Sequence, residues 1–150
     1  MIRHLALASV LAIGSSVILA PTAKADSADV PFDGTVPAFC ILDNVQAGTL
    51  AAVGTPAVEL DSRAPGGTSG SVDLTCNSAS TVQVDTVKKT AGPAINPFNT
   101  MTWLNGGIGV VNYAGPVVGQ QIDVDLKVDQ GGALLPPGDY EFEVTVTATP

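Results

Sequence analysis

The sequence is poor in histidine, in basic residues and in aromatic side chains. Its 150 residues include one histidine, six Lys and Arg against 14 Asp and Glu, and 5% aromatic residues. The single histidine, His4, precedes the signal cleavage site described below, so the exported protein has no imidazole. This excludes Ser-His-Asp and Cys-His catalysis and histidine-ligated metals. We therefore expect neither an enzyme nor a bound cofactor or metal.

The first 25 residues have the pattern of a secretory signal peptide. A short polar start is followed by an apolar run over residues 5–20, and Ala23 and Ala25 have the Ala-x-Ala spacing of a cleavage site. The alternative, a membrane anchor, needs about 20 apolar residues, and this run is shorter. We expect cleavage between Ala25 and Asp26 and a single domain over residues 26–150. The protein should pass through the periplasm and end at the cell surface or outside the cell.

The exported chain is strongly acidic. Arg3 and Lys24 leave with the signal peptide, so four basic residues face 14 acidic ones, a net charge of −10. Such a surface repels the phosphates of nucleic acids and of anionic lipids. Nucleic acid and membrane are therefore poor candidates for partners of the processed protein.

The acidic residues show no pattern typical of catalysis or metal binding. Asp123, Asp125 and Asp129 alternate with apolar residues, as do Glu141 and Glu143, which places them on the outer faces of strands. A glycosidase needs two opposed carboxylates in a cleft. A calcium site at Asp123 and Asp125 would need an acidic loop with a glycine, as in an EF-hand, and the sequence has no such loop there. We interpret these carboxylates as solvated surface groups.

Cys40 and Cys76 are the only two cysteines. Two cysteines in an exported protein are expected to pair, and their separation fits neither a zinc motif nor a Cys-x-x-Cys redox motif. Closing a loop of this length stabilises a fold by about 4 kcal/mol in the chain-entropy description. We predict a Cys40–Cys76 disulfide, with two free buried thiols as the alternative.

The remainder of the chain is patterned as strands. No segment after the signal peptide keeps a helical period, and 16 glycines and 11 prolines interrupt the sequence. Short runs with a period of two predict an all-β sandwich. The predicted strands cover residues 34–42, 49–60 (as a weak pair), 71–76, 81–87, 101–104, 108–113, 121–128 and 140–150.

The last predicted strand has one apolar and one polar face. Its apolar face consists of alternate residues, among which we single out Tyr140, Phe142, Val144 and Val146. Its other face carries Glu and Thr. If this strand lies at the edge of a sheet, its unpaired backbone groups invite a further strand, from the same chain or from another one. We predict that function depends on how this edge is covered.

Two segments resemble bacterial fimbrial subunits and the related spore coat protein U-like secreted domains. Residues 32–41, Phe-Asp-Gly-Thr-Val-Pro-Ala-Phe-Cys-Ile, resemble their Gly-x-Val-x-x-x-Cys opening, and a second cysteine closes a strand at residues 72–76. Residues 135–146 resemble their C-terminal strand. Residues 81–121 carry no motif of either family.

The resemblance implies an immunoglobulin-like sandwich that lacks one strand. In fimbrial subunits a periplasmic chaperone, and later the N-terminal extension of the next subunit, fills the resulting groove by strand addition. Such head-to-tail contacts do not close on themselves and build fibres. The corresponding donor segment here contains Val30 and Phe32. It is short for a donor strand, so a coat-protein-U-like domain or a complete sandwich is the alternative.

These sequence patterns are compatible with two functions. The first is an exported structural subunit of a fimbria or coat-like surface assembly, with a chaperone or other subunits as partners and a role in cell adhesion. The second is a complete, secreted β-sandwich that binds a ligand such as a surface glycan. A sugar platform for the second would consist of Trp103, Tyr113, Asn105 and Asn112, although a core position is the more ordinary role for Trp103.

Overall fold

The computed structural model of the protein describes residues 26–95 and 98–150. The predicted signal peptide and Ala25 lie outside the described residues. Residues up to Gly34 form one unit, of which 26–34 are described, and Thr35–Pro150 form a second, compact unit. The described residues contain no helix that is long and apolar enough to span a membrane.

The compact unit is built from ten β-strands and contains no helix within the described ranges. Alternating apolar side chains and frequent turn residues favour this outcome over helices. The strands are β1 (Cys40–Gln46), β2 (Ala51–Val53), β3 (Glu59–Asp61), β4 (Gly70–Cys76), β5 (Ser80–Ala91), β6 (Asn99–Leu104), β7 (Gly107–Ile108), β8 (Val110–Tyr113), β9 (Val117–Asp129) and β10 (Glu141–Thr149).

The strands form two antiparallel sheets. The larger sheet has the order β1-β4-β9-β3-β2, and β6 also pairs with β9 and with β7. The smaller sheet has the order β10-β5-β8. The predicted all-β sandwich is thereby confirmed.

The core lies between the two sheets in two apolar clusters. The first joins β4, β5, β6 and β9 near the disulfide, and the second lies towards the start of β10. Fully burying one such side chain contributes about 1.5–3 kcal/mol relative to leaving it exposed. The buried members are Val72, Leu74, Cys76, Val82, Leu104 and Ile122 in the first cluster, and Ile95, Leu126 and Val128 in the second.

The predicted disulfide is present. Cys40 lies directly opposite Cys76 across the β1–β4 pair, with their Cα atoms 4.2 Å apart, and the two sulfur atoms are bonded. Cys76 is buried in the first cluster and Cys40 packs against it. The bond therefore holds β1, which is an edge strand, against the body of the larger sheet.

Several strand boundaries differ from the prediction; among them, β1 ends at Gln46 rather than at residue 42, and β9 starts at Val117 rather than at residue 121. The first strand begins at Cys40 rather than at residue 34, because Pro37 has no N–H to give to a ladder. The Phe39 backbone extends the pairing by one step, through Asn77, and the Pro37 carbonyl accepts from the Asn77 side-chain amide. β5 continues to Ala91, whereas the glycine and prolines at positions 92, 93 and 97 predict a loop from residue 88 onward. Pairing with β10, which places Lys88 opposite Glu143, carries the strand through this polar stretch.

Candidate functional site: an open groove between the edges of the two sheets

β10 is an edge strand with a regular backbone. Among the described residues it pairs with β5 alone. Both irregularities of this pair fall on β5, where Asp85 and Thr90 are the extra residues, so β10 itself runs without a bulge from Glu141 to Thr149. It also contains no proline and no lysine, which are common protections of an edge. The free side of β10 is therefore suited to accept another strand.

Asp85 helps to fix β10 in this position. Its carboxylate accepts hydrogen bonds from the Thr147 hydroxyl of β10 and from the Gln83 side-chain amide. These two hydrogen bonds hold the pKa of Asp85 below its ordinary value. The bulge on β5 thus supplies an anchor for the regular strand beside it.

β1, the edge strand of the larger sheet, differs from β10. Between Asp43 and Gln46 it advances three residues while β4 advances two, so it carries a bulge. Asn44 lies in this bulge with φ of 50° and donates a side-chain hydrogen bond to Asp73. Asparagine tolerates this left-handed conformation better than most residues. The bulge disrupts the ladder, so β1 is the less regular of the two edges.

A groove of about 850 Å³ lies between these two edges. It is open to solvent and is lined by both sheets, mostly with apolar side chains. At one end Leu42 and Val146 pack against the same core cluster, and at the other end the groove reaches Gly48 and Tyr140. Its apolar lining includes Leu42, Leu50, Leu60, Val72, Val124, Leu126, Tyr140, Phe142, Val144 and Val146.

The four residues predicted to form a partner-strand edge all line this groove. Tyr140, Phe142, Val144 and Val146 point inward, yet each is only partly buried, whereas Val82 on the adjoining strand is fully buried. Phe142 packs edge-on against Phe98 at 6.2 Å between ring centroids. The inward row of β10 therefore lacks part of the cover that the sandwich gives to its other strands.

The wall of the groove opposite β10 is held by a small polar network. Ser62, which lines the groove, donates to Asp125 Oδ1 at 2.7 Å and accepts from the Leu126 N–H at 3.1 Å. Ser69 donates to the same Asp125 oxygen at 2.6 Å. Asp125 is 7% exposed, so two hydroxyl donors compensate the burial of its carboxylate. This differs from the prediction of a solvated carboxylate, because the loop after β3 covers the outer face there.

The same loop is fixed by Arg63. Its guanidinium lies 3.3 Å from the Trp103 ring centroid, and its NH2 group lies 3.2 Å from the Asp61 carboxylate. Burial raises the pKa of Asp61, but the hydrogen bonds and the charge of Arg63 outweigh it and leave the pKa below its ordinary value of 3.8. The loop is therefore stabilised by an ion pair and by a cation–π contact.

Two glycines, Gly48 and Gly70, approach each other closely where they line the groove. A Cβ atom on Gly48 would lie 2.5 Å from the Gly70 backbone nitrogen and 2.7 Å from the Thr68 carbonyl oxygen. Thr49 and Thr68 pair beside it through two backbone hydrogen bonds of 2.9 Å. A larger residue at position 48 would push this segment away from β4 and alter the end of the groove.

The candidate donor residues Val30 and Phe32 lie in the unit up to Gly34, in a stretch without regular secondary structure. Both are exposed, Phe32 to 91%. Val36 is likewise 83% exposed, because the first strand starts only at Cys40. The alternation over residues 34–42 predicts that Val36 lies within that strand, and this prediction is wrong. The proline at position 37 was the available signal that the strand begins later.

The residues of the alternative sugar platform do not form an open surface. Trp103 is 7% exposed and its ring is covered by Arg63, on the outer face of the larger sheet rather than in either core cluster. The Asn105 side-chain amide lies 3.4 Å from the Tyr113 hydroxyl, and Asn112 accepts from Thr81 on the smaller sheet. Trp103 in this arrangement offers no free face for stacking.

The strand carboxylates considered for catalysis or for calcium are engaged with protein groups, Asp125 with Ser62 and Ser69 as described above. Asp123 accepts from the Gln121 amide, and Asp129 accepts from the Asn99 amide and the Gly131 N–H. The Asn99 hydrogen bond, followed by that of Gly131, lowers the pKa of Asp129. Within residues 26–95 and 98–150 there is no cluster of three or more potential metal ligands.

No family model matches this chain, and no curated protein and no solved structure matches it.

Proposed function

We propose that this protein is an exported structural subunit of a cell-surface assembly, built by the addition of a strand from a neighbouring copy or a chaperone to β10. The observation that carries the proposal is the groove between β1 and β10. A regular edge strand there presents an inward apolar row that its own sandwich only partly covers. An added strand would bury that row and pair the free backbone groups of β10 in one step.

The chain itself contains a segment with the chemistry of such a strand. Residues 30–38 place apolar or small side chains at every even position: Val30, Phe32, Gly34, Val36 and Ala38. In an extended strand these side chains share one face. The exposure of Val30, Phe32 and Val36 supports a donor role, because burial of these three apolar side chains in a partner's groove would be favourable.

The prolines in this segment favour one side of it for pairing. In a β-strand, alternate residues direct their N–H and C=O groups to opposite neighbours. Pro31 and Pro37, which have no N–H, both occupy odd positions, so the even residues keep every donor. The even set can therefore pair with the regular edge of β10, while the side that carries prolines faces the bulged strand β1.

Insertion into a second copy would lead to an open assembly. Each copy has one groove and one donor segment, and the two differ in structure, so the contact is heterologous and can repeat. The resemblance of both ends of the chain to fimbrial and spore coat U-like subunits supports the same function. Export, a surface location and the absence of catalysis belong to this proposal.

The test uses the processed, oxidised protein, residues 26–150, refolded and separated by size exclusion with light scattering. We expect a ladder of oligomers. Phe32→Asp should leave a monomer with unchanged unfolding, because the residue is exposed, and a peptide of residues 28–38 should bind that monomer one to one. Thr35→Asp is the matched control, since it adds the same charge at an odd position, and should still assemble.

A wild-type protein that remains a monomer and does not bind the peptide would overturn the proposal. The sandwich would then be complete by itself, and the secreted binding module would replace the structural subunit. Assembly by Phe32→Asp equal to that of the wild type would show that residues 30–38 are not the donor.

A further inference from the structure

Three exposed apolar side chains lie on the outer face of the larger sheet, where β1 begins. Cys40 and Leu42 point into the core, so Phe39 and Ile41 point to the other face, and Val118 is 86% exposed beside them. We call Phe39, Ile41 and Val118 the root patch, because the proposed donor segment enters the fold there.

Hydrogen bonds hold the three residues in one region of the sheet. The Phe39 N–H donates to Asn77 Oδ1 at 2.9 Å, and its carbonyl accepts from the Asn77 N–H at 3.2 Å, which extends the β1–β4 pair by one step. Ile41 lies opposite Thr75. The Gly119 N–H, next to Val118, donates to Thr75 Oγ1 at 3.0 Å. The patch therefore crosses three neighbouring strands.

The length of the connection restricts where a neighbouring copy can lie. Four steps along the chain separate Val36 from Cys40. An extended chain covers at most about 3.6 Å per residue, so a groove that holds Val36 lies within about 14 Å of Cys40. Any copy that takes up the donor segment is thus brought against the end of the sheet that bears the root patch.

The charge of the protein favours contact at this patch. The processed chain has a net charge of −10, so two copies repel each other in most relative orientations. Phe39, Ile41 and Val118 and the residues between them, Thr75 and Asn77, carry no charge. On the same face, Asp43 and Asp73 lie opposite each other, two residues from Ile41 and Thr75, so the uncharged surface open to a second copy is confined to the end of the sheet where β1 begins.

The opposite end of the partner copy offers a matching apolar residue. Antiparallel pairing is the more stable arrangement, and it places Val36 at the Tyr140 end of the partner's groove. The loop before β10 is fixed there by a hydrogen bond from the Tyr140 hydroxyl to the Pro136 carbonyl at 2.6 Å. Leu134 in this loop is an exposed apolar side chain.

We propose that the root patch is a second interface between successive copies of this chain and that it packs against the loop around Leu134 of the neighbour. This inference rests on the proposed strand addition. The donor strand would tether the two copies, and the root patch would fix their relative orientation and slow their separation.

The test compares polymers of the processed protein with those of Val118→Asp and of the triple variant Phe39→Ser, Ile41→Thr, Val118→Thr. Dissociation after dilution is followed by light scattering. We expect both to dissociate about tenfold faster than the wild type, since interface changes act mainly on dissociation. Leu134→Asp should have the same effect. The control is the double variant Ile108→Thr, Val110→Thr, which changes two other exposed apolar residues. Its polymers should dissociate at the wild-type rate.

A second measurement separates this inference from the proposed function. Each patch change is combined with Phe32→Asp, which keeps the protein monomeric, and the peptide of residues 28–38 is titrated into this monomer. The affinity for the peptide should stay within about twofold of that of Phe32→Asp alone. Unchanged polymer lifetimes in Val118→Asp would overturn the second interface while leaving strand addition intact. Unaltered lifetimes in Leu134→Asp would overturn the pairing with that loop. A wild type that neither polymerises nor binds the peptide overturns both proposals.

Discussion

Thr86 of β5 donates a hydrogen bond to Thr145 Oγ1 of β10 at 3.2 Å on the outer face of the smaller sheet. The next residue back, Val144, points to the other face and lines the groove. Two neighbouring residues of one strand therefore face solvent and the proposed strand site, respectively.

This relationship gives a matched pair of substitutions. Val144→Asp places a charge in an apolar wall, so we expect the free energy of unfolding to fall by about 2–4 kcal/mol and binding of the 28–38 peptide to be lost. Thr145→Asp adds the same charge on the outer face and should change stability by about 0.5 kcal/mol or less. Urea unfolding and peptide titration measure the two effects. Equal losses in both variants would contradict the assignment of faces.

The disulfide yields a prediction about the edge strand β1. Cys76→Ser should lower the free energy of unfolding by about 4 kcal/mol, the chain-entropy value for a loop of this length. Because Cys40 lies at the start of β1, that strand should lose its amide protection from hydrogen exchange first. Hydrogen exchange of the variant and of the reduced wild type provides the measurement. Two free thiols in exported, non-reduced protein would refute the bond itself.

Ser80 and Ser62 should respond in opposite ways to removal of the hydroxyl group. Within the described residues, Ser80 Oγ is buried without a hydrogen-bond partner, whereas Ser62 Oγ donates to Asp125 and accepts from the Leu126 N–H. Ser80→Ala should be neutral or stabilising by about 1 kcal/mol, and Ser62→Ala should destabilise by about 1–3 kcal/mol. Thermal unfolding of both variants in one buffer is the comparison. A larger loss in Ser80→Ala would reveal a partner for its hydroxyl.

Asp61 should contribute to the dependence of stability on pH. Its pKa is lower in the folded protein than its ordinary value of 3.8, so its stabilising effect is complete above that value and disappears as the pH falls through the folded pKa. Asp61→Asn should therefore be less stable than the wild type at pH 7, by about 0.5–1 kcal/mol, and this difference in stability should shrink as the pH falls below 3.8. Unfolding curves across this range test it, with Asp29→Asn, an exposed side chain, as the control. If the difference in free energy of unfolding between Asp61→Asn and the wild type grew as the pH fell, the direction of the pKa change would be contradicted.

Processing provides the last prediction. N-terminal sequencing of exported protein should begin Asp-Ser-Ala-Asp, which corresponds to cleavage between Ala25 and Asp26. Mature protein that keeps residues 5–20 would instead indicate a membrane anchor.

Local sequence patterns were enough to predict the class of the fold and the orientation of several residues. Alternation with a period of two identified the strands and the inward row of Tyr140, Phe142, Val144 and Val146, because side-chain direction in a strand follows from local geometry alone. The cysteine count and the signal-peptide pattern were enough to predict the disulfide, because pairing depends on the compartment and on the absence of competing cysteines.

The positions of the edge strands, and how well each edge is covered, became known only from the folded arrangement of the chain. Sequence alternation at Asp125 predicted a solvated carboxylate, but a loop distant along the chain covers it and supplies Ser62 and Ser69 as donors. Pairing between strands far apart in sequence decided that β5 reaches Ala91 and that β1 starts at Cys40, which leaves Val36 free. Edge position, burial and groove shape depend on such long-range pairings, and a local pattern of residues contains no information on them.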